Sequence, residues 1–476
     1  VDAAHDEEGA LELGALLRSR PLTALMLLFA AALGIEMAQE FRASELGTAR
    51  LATTGLLAAR SLEPLGLFGA LLVLFFGAEV ASRDRAARVS EVVGATPAPP
   101  AALLLGKLAA LAAVLAAAAI SAVAVGTGLQ VATRFGRLDL VPWLGFAWLG
   151  FVPLVLLAVL VLAIHALFPS RAVGLLISLA AVLFLHRGAL GGPDHLLLRW
   201  GAFPQAAWSD FSGFGPALPA SAWIAAWEAI LAALLVLLAA GAWPRSVDTR
   251  LLPRLRALPR NLGRGARLGA LALVLLAATV GASAFHRTNV ANRYETAAEN
   301  AAWKADYERA FKSTGSLPQP AATDLVATLG LEPDARRARM AGRLRLANLS
   351  ESEIPAVFVA LRRDVTVGAL ALAGRPATAA DARFAVHRFD LPAPMRPGAS
   401  LDLAFDLSLV RRGPKGDGED YDLVANGSYL HGMALVPSIG YRRSRELVDE
   451  EERRRQGLPP REEEPELDVP ADAGRM

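Results

Sequence analysis

Residues 268–285 read LGALALVLLAATVGASAF, with no charge among them, and they follow seven arginines in the stretch 244–267. Those arginines are Arg245, Arg250, Arg254, Arg256, Arg260, Arg264 and Arg267, and the stretch holds a single acid, Asp248. An uncharged apolar run of about 18 residues is long enough to cross the hydrocarbon core of a bilayer as a helix. Loops dense in Lys and Arg stay on the cytoplasmic side. The pair therefore predicts a membrane domain before this point and an extracytoplasmic chain after it. The competing reading is a buried hairpin of a large soluble protein, and further apolar runs upstream count against it.

Those runs occupy 21–35, 65–80, 101–125, 141–168, 172–185 and 222–243. With 268–285 they make about seven transmembrane helices. Arginines test the arrangement: Arg83, Arg85 and Arg88 lie in the loop 82–100, Arg171 in the turn 169–171, and seven in the loop 244–267. If these loops are cytoplasmic, the spans alternate consistently, with the amino end in, the carboxy end out, and the loops 36–64, 126–140 and 186–221 outside. Glu79, His165 and His186 lie within a turn of span ends, and Glu228 lies deeper. Each either marks a substrate or proton path, or reaches the interface or a neighbouring helix.

The average composition, 54% hydrophobic and 20% charged, hides a step near Phe285, with an Ala/Leu-rich half before it and a mixed, charged half after. A formal charge of only +2, with the basicity confined to loops beside apolar runs, fits membrane topology and not nucleic-acid binding. With no cysteine, a disulfide framework and a thiolate metal site are both excluded. The first residue is Val and no cleavable signal is evident, so the chain is expected to be a segment of a longer polypeptide.

After His286 the pattern changes. Residues 289–312 read as a helix leaving the membrane, stopped by Pro318-Gln319-Pro320. From Pro333 onward, apolar residues recur at every second position in 338–347, 356–361, 382–389 and 401–409, the mark of half-buried strands. Turn residues separate them at 374–376, 392–398, 412–418 and Asn426-Gly427. The expected domains are a membrane domain (1–286), a helical connector (287–330), an all-β sandwich or saddle (331–441), and a charged surface helix with linker (442–476) that has no core of its own.

Signatures of chemistry are absent. No His-Glu-x-x-His occurs, and the seven histidines (His5, His165, His186, His195, His286, His387 and His431) include no pair at i and i+4. Gly106-Lys107 lacks the upstream glycine and following Ser/Thr of a P-loop, and there is no G-x-S-x-G. Asn426-Gly427-Ser428 fits a glycosylation sequon, although a turn between strands explains it better. The chain itself therefore carries no catalytic motif.

The stretch 82–110, SRDRAARVSEVVGATPAPPAALLLGKLAA, resembles the cytoplasmic turn of ABC-2-type permeases, through Asp84, Arg85, Thr96-Pro97 and Gly106-Lys107. The later motifs TNVANRY (288–294), DYERAFK (306–312), PQP (318–320), Pro397-Gly398, NGSYL (426–430), PSIGY (437–441) and EL…RRQGLPPR ending at Arg461 resemble one family in particular. It is the bacterial fusion of a permease to an aminopeptidase-N-like metallopeptidase, and the resemblance covers nearly the whole chain. It implies a multi-pass protein of the bacterial cytoplasmic membrane whose β-domain is extracytoplasmic and similar to the N-terminal domain of aminopeptidase N. It also implies a bilayer, a separate ABC ATPase and a second permease half as partners, with an ATPase-docking turn at Arg83, Asp84, Arg85, Arg88 and Glu91. Zinc is expected only in a peptidase domain beyond this chain. No catalytic residue carries over, since neither His-Glu-x-x-His nor Gly-x-Met-Glu-Asn occurs. Expected functions are a permease subunit, or a membrane-anchored zinc aminopeptidase whose spans mainly anchor it. A third is an anchored β-domain that binds a partner protein.

Overall fold

A computed structural model of the protein describes residues 14, 19–42, 51–89, 92–93, 99–188, 191–204, 206–215, 217–243, 250–292, 294–413, 422–425, 428–430 and 435–461. These divide into two compact units, with the boundary between Tyr294 and Glu295.

The first unit is helical: α1 (Arg20–Arg42), α2 (Thr54–Ala86), α3 (Pro100–Ala132), α4 (Val141–Leu167), α5 (Arg171–His186), α6 (Ala217–Gly241), α7 (Leu251–Asn261) and α8 (Arg264–Val290). Six of them, all but α5 and α7, are long and apolar enough to cross a membrane. Proline near the first position starts α3 and α4, where a missing N–H does no harm, and Thr53 caps α2 by accepting from Leu56 N–H. Helices α1, α2 and α3 outrun the apolar runs, so parts of the expected loops 36–64 and 126–140 are helix, Pro64 included. The polar residues there are mostly good helix formers, and apolarity marks the hydrocarbon core rather than the helix end.

Helices α2 and α4 form the centre, and their axes come close because α2 presents Gly69 and Gly77 to α4. A Cβ at Gly69 would lie 2.3 Å from Leu154 Cδ1, and one at Gly77 would lie 2.9 Å from Val161 Cγ1. By contrast, only Ala277 and Ala284 are buried within Arg264–Phe285, while Leu268 and Leu275 are 68% and 61% exposed. A water-soluble hairpin would bury such a row, whereas lipid solvates it. The helical unit has the surface of a membrane protein.

The run 172–185, short for a span in the sequence, forms a helix that is also short. Helix α5 is only about 24 Å long, short of a hydrocarbon core of about 30 Å. It stops because the following segment re-enters the bundle. Trp200 Nε1 donates to Leu156 O (2.7 Å), about 16 Å along α4 from its carboxy end. Gly201 N–H donates to Glu228 Oε2 (2.8 Å), and His186 Nδ1 lies 3.0 Å from Trp200 O. Gly201 has φ 63°, and a Cβ there would meet Pro153 O at 2.7 Å, so only glycine fits the tip. Irregular backbone at this depth is tolerated because protein groups satisfy it.

The second unit begins with α9 (Ala297–Phe311), opened by a reciprocal capping box between Thr296 and Glu299. Its strands are β1 (Ala321–Glu332), β2 (Arg337–Ala347), β3 (Ile354–Ala360), β4 (Val365–Leu372), β5 (Arg375–Pro376), β6 (Ala379–Asp381), β7 (Val386–Met395), β8 (Ser400–Val410) and β9 (Ser438–Ile439). They form two antiparallel sheets, ordered β1-β2-β8-β4-β5 and β6-β7-β3-β9. Leu344, Leu346, Leu403 and Leu407 of one sheet and Val357, Val359 and Phe389 of the other share a core.

Three expectations are corrected here. Strand β1 lies mostly in the stretch read as connector (287–330), because it is an edge strand exposed on both faces and lacks a half-buried alternation. Strand β3 is not half-buried: Ala356, Phe358 and Ala360 pack under Trp303 and Tyr307 of α9, so both faces are covered. The charged stretch 442–461 is no free surface segment. Its helix α10 (Glu450–Arg455) is short, and Arg453 is fully buried against Glu308 of α9. The turn Asn426-Gly427 lies outside the described residues.

Candidate functional site at the basic pole

The carboxy ends of α2, α4 and α6 and the amino ends of α3, α5 and α8 meet at one pole of the helical unit, and single side chains tie them together. Lys107, fully buried in the second turn of α3, donates to Val80 O (3.2 Å) and pairs with Asp84 Oδ2 (3.1 Å), both on the last turns of α2. A buried ammonium is tolerable only with such partners. Its placement on carbonyls at a helix carboxy end also suits the helix dipole. Arg83 pairs with Glu79 one turn back (3.3 Å), and Arg85 Nη2 donates to Ala81 O (3.0 Å).

Helix α2 then ends in a Schellman turn. Arg88 N–H donates to Arg85 O (3.0 Å) and Val89 N–H to Asp84 O (2.9 Å), with Arg88 at φ 57° where glycine is usual. The turn thus holds the Arg88 guanidinium outward in solvent, while Asp84 and Lys107 fasten its base.

Arg254 of α7 does the equivalent for the other two carboxy ends. Its guanidinium donates to Ala166 O and Ala242 O (both 2.9 Å) and to Leu167 O, satisfying the last carbonyls of α4 and α6. Asn261 Nδ2 adds a bond to Gly241 O (2.8 Å). His165, near the end of α4, is buried beside the close approach of Gly174, and neither ring nitrogen has a partner among the described residues. The opposite pole is held by neutral bonds: Gln130 Nε2 donates to Ala52 O (3.0 Å) and Thr54 Oγ1 (2.9 Å).

Of the five residues expected in the docking turn, the structure brings Arg83, Asp84, Arg85 and Arg88 to this pole; Glu91, with Thr96 and Pro97, lies outside the described residues. Only Arg88 of the three arginines is fully exposed, since Arg83 and Arg85 lie back along α2. Sequence reasoning missed Lys107 and Arg254 as structural ties. Lys107 did carry a signal, as a lone lysine one turn inside an Ala/Leu run.

Glu79, His186 and Glu228 each face protein groups: Arg83, the Trp200 carbonyl and the Gly201 amide. Among the described residues no group of three His, Asp or Glu side chains gathers to hold a metal. The site gathers charged side chains and helix-end carbonyls at one pole. No protein-family model matches the chain, and no curated protein matches it.

Proposed function

We propose that this chain is the membrane permease subunit of an ABC-2-type transport system, carrying the N-terminal, non-catalytic domain of an aminopeptidase-N-like zinc metallopeptidase. It acts in the bacterial cytoplasmic membrane with a separate ATPase and a second permease half, and its β unit lies outside the cytoplasm. The observation that carries this reading is the end of α2. An exposed arginine turn, fastened to α3 by the pairing of buried Lys107 with half-buried Asp84, is suited to pass a push from a docked ATPase into the central helices. This sequence contains no P-loop, which is consistent with a partner that handles the ATP. Arg88→Glu is expected to lower ATPase co-purification at least about tenfold by placing like charge at the contact. Unchanged co-purification of Arg88→Glu would remove the docking role.

A second reading, a zinc aminopeptidase anchored by these spans with its catalytic domain outside this chain, is favoured by one feature. Of the peptidase-like motif residues, Glu308 accepts from the buried Leu447 N–H and pairs with the buried Arg453, and the buried Glu446 pairs with half-buried Arg461, rather than all being spread on a surface. Aminopeptidase activity of the native polypeptide, abolished by a chelator and restored by zinc, would support it; absence of that activity removes it.

A further inference from the structure

Arg256 and Arg260 on α7, and Arg264 and Arg267 on the first turn of α8, are all exposed, and their guanidinium groups have no ion-pair or hydrogen-bond partner among the described residues. The β unit handles its arginines differently. On β2, Arg337, Arg339, Arg343 and Arg345 pair with Glu332, Asp406 and Asp402, at 2.5–3.5 Å. Four unpaired arginines within twelve residues therefore call for negative charge from outside the chain.

The same helix shows what kind of body supplies it. Its inward face, Arg254, Ala257 and Asn261, is occupied by capping the bundle. Its outward face sets Leu252 and Leu255, 67% and 42% exposed, beside Arg256 and Arg260. Leucines flanked by arginines on one face of a helix, just before an apolar span, suit the boundary between headgroups and acyl chains. Exposed Leu268, Leu271 and Leu275 continue below Arg264 and Arg267, where acyl chains would lie. Beneath α7 a hollow of about 540 Å³, lined by Pro100, Leu237, Trp243, Ala257 and Ala266, opens at the same level.

We propose that α7 and the first turn of α8 form a binding site for the headgroup of an anionic phospholipid, its phosphate held by Arg256, Arg260, Arg264 and Arg267. The site rests on the membrane reading but not on the ATPase, whose proposed contact is the turn at Arg88. It makes the junction between α6 and α8 sensitive to lipid charge, because the same helix caps α4 and α6 through Arg254.

The test uses the full chain in non-ionic detergent. Thermal unfolding is followed as phosphatidylglycerol or phosphatidylcholine is added in mixed micelles. Phosphatidylglycerol is expected to raise the midpoint and phosphatidylcholine is not. Arg→Gln substitution at all four positions should leave the lipid-free midpoint unchanged and weaken phosphatidylglycerol binding about fivefold per arginine removed. Arg→Lys substitution at the same positions should keep most of the preference. Equal responses to the two lipids, or an undiminished phosphatidylglycerol response in the glutamine variant, overturn the proposal. Loss of a co-purifying ATPase by the glutamine variant, with its lipid response intact, would give this face to a protein partner and overturn it too. A chain that stays monodisperse without detergent would remove the membrane reading itself.

Discussion

At the scale of single residues, the most consequential pairing is Glu308 with Arg453. Both side chains are buried, joined by two bonds of 2.8 and 3.0 Å, and Glu308 also accepts from Leu447 N–H while Arg453 donates to Leu447 O and Pro459 O. Removing one partner strands the other charge, so Glu308→Ala is expected to destabilise the second unit by about 3–5 kcal/mol. The double variant Glu308→Leu/Arg453→Met should recover much of that loss. Hydrogen exchange of the sheet amides under native conditions reads both. A second residue-scale prediction concerns alkali. Burial raises Tyr441, helped by Glu446, and burial also raises Tyr307, above the ordinary tyrosine value, whereas burial pushes Arg445 down to about 10. Above pH 10 the unfolded chain loses tyrosine protons that the folded unit keeps, so two groups remove stability as pH rises, while Arg445 acts oppositely. Net stability should therefore fall above about pH 10, and Tyr441→Phe should flatten the fall; an unchanged slope would rule out Tyr441 as a source. None of these partners was legible in sequence, since Glu308 and Arg453 stand far apart along the chain and charge-rich composition reads as a solvated surface. The hints were motifs that flank the pairing: DYERAFK, which contains Glu308, and EL…RRQGLPPR, which brackets Arg453.

At the scale of elements, apolar runs located every membrane helix, because lipid demands a nearly uninterrupted apolar stretch whatever the tertiary contacts. Helix ends and depth were not legible, since these depend on what meets the helix. The run 172–185 reads as short for a span, but nothing in its residues announces that Trp200 and Gly201 return to meet it. Strand reading placed β2, β3 and β8, though β3 is covered on both faces; it missed β1 and the mostly exposed β4, which lack a half-buried alternation, and its run 382–389 straddles the turn between β6 and β7. The α2–α4 pair yields a sharp prediction. Val73 lies between Gly69 and Gly77 on the buried stripe of α2, and Leu154 and Val161 fill the space a Cβ would need. Gly69→Ala must displace the Leu154 side chain or α4 itself and is expected to destabilise the helical unit by about 1–3 kcal/mol. Gly77→Ala, with a softer 2.9 Å contact, should cost less. The end of α2 predicts the reverse sign, for Arg88→Gly relieves a left-handed residue and should stabilise by up to about 1 kcal/mol. Thermal midpoints in one detergent rank the three variants; a Gly69→Ala midpoint equal to the parent's would contradict the close approach.

At the scale of the whole molecule, the composition step near Phe285 was the most legible feature, and it agrees with the division at Tyr294/Glu295. The in–out order is a stronger claim than span number, and the structure sharpens its test. If α5 with its re-entrant partner completes a crossing, Arg88 and the loop after α6 share one side of the membrane, and Ser209, Ser350 and the β unit share the other. The ends of α2, α4 and α6 gathered at the basic pole require that crossing, so the β unit joins the side of Arg88 only if α8 does not cross. The chain contains no cysteine, so single introduced thiols report without background. Arg88→Cys and Arg256→Cys are expected to resist a membrane-impermeant maleimide in intact cells and to react after the membrane is opened. Ser209→Cys and Ser350→Cys are expected to react in intact cells, both positions being described at or near the surface. Labelling of Ser209→Cys together with protection of Ser350→Cys would mean that α8 does not cross. It would also place the β unit in the cytoplasm and remove the extracytoplasmic peptidase reading, while leaving the α2 docking turn untouched. That asymmetry makes sidedness decisive between the two functional readings, because a permease tolerates either placement of the β unit and an extracytoplasmic aminopeptidase tolerates only one.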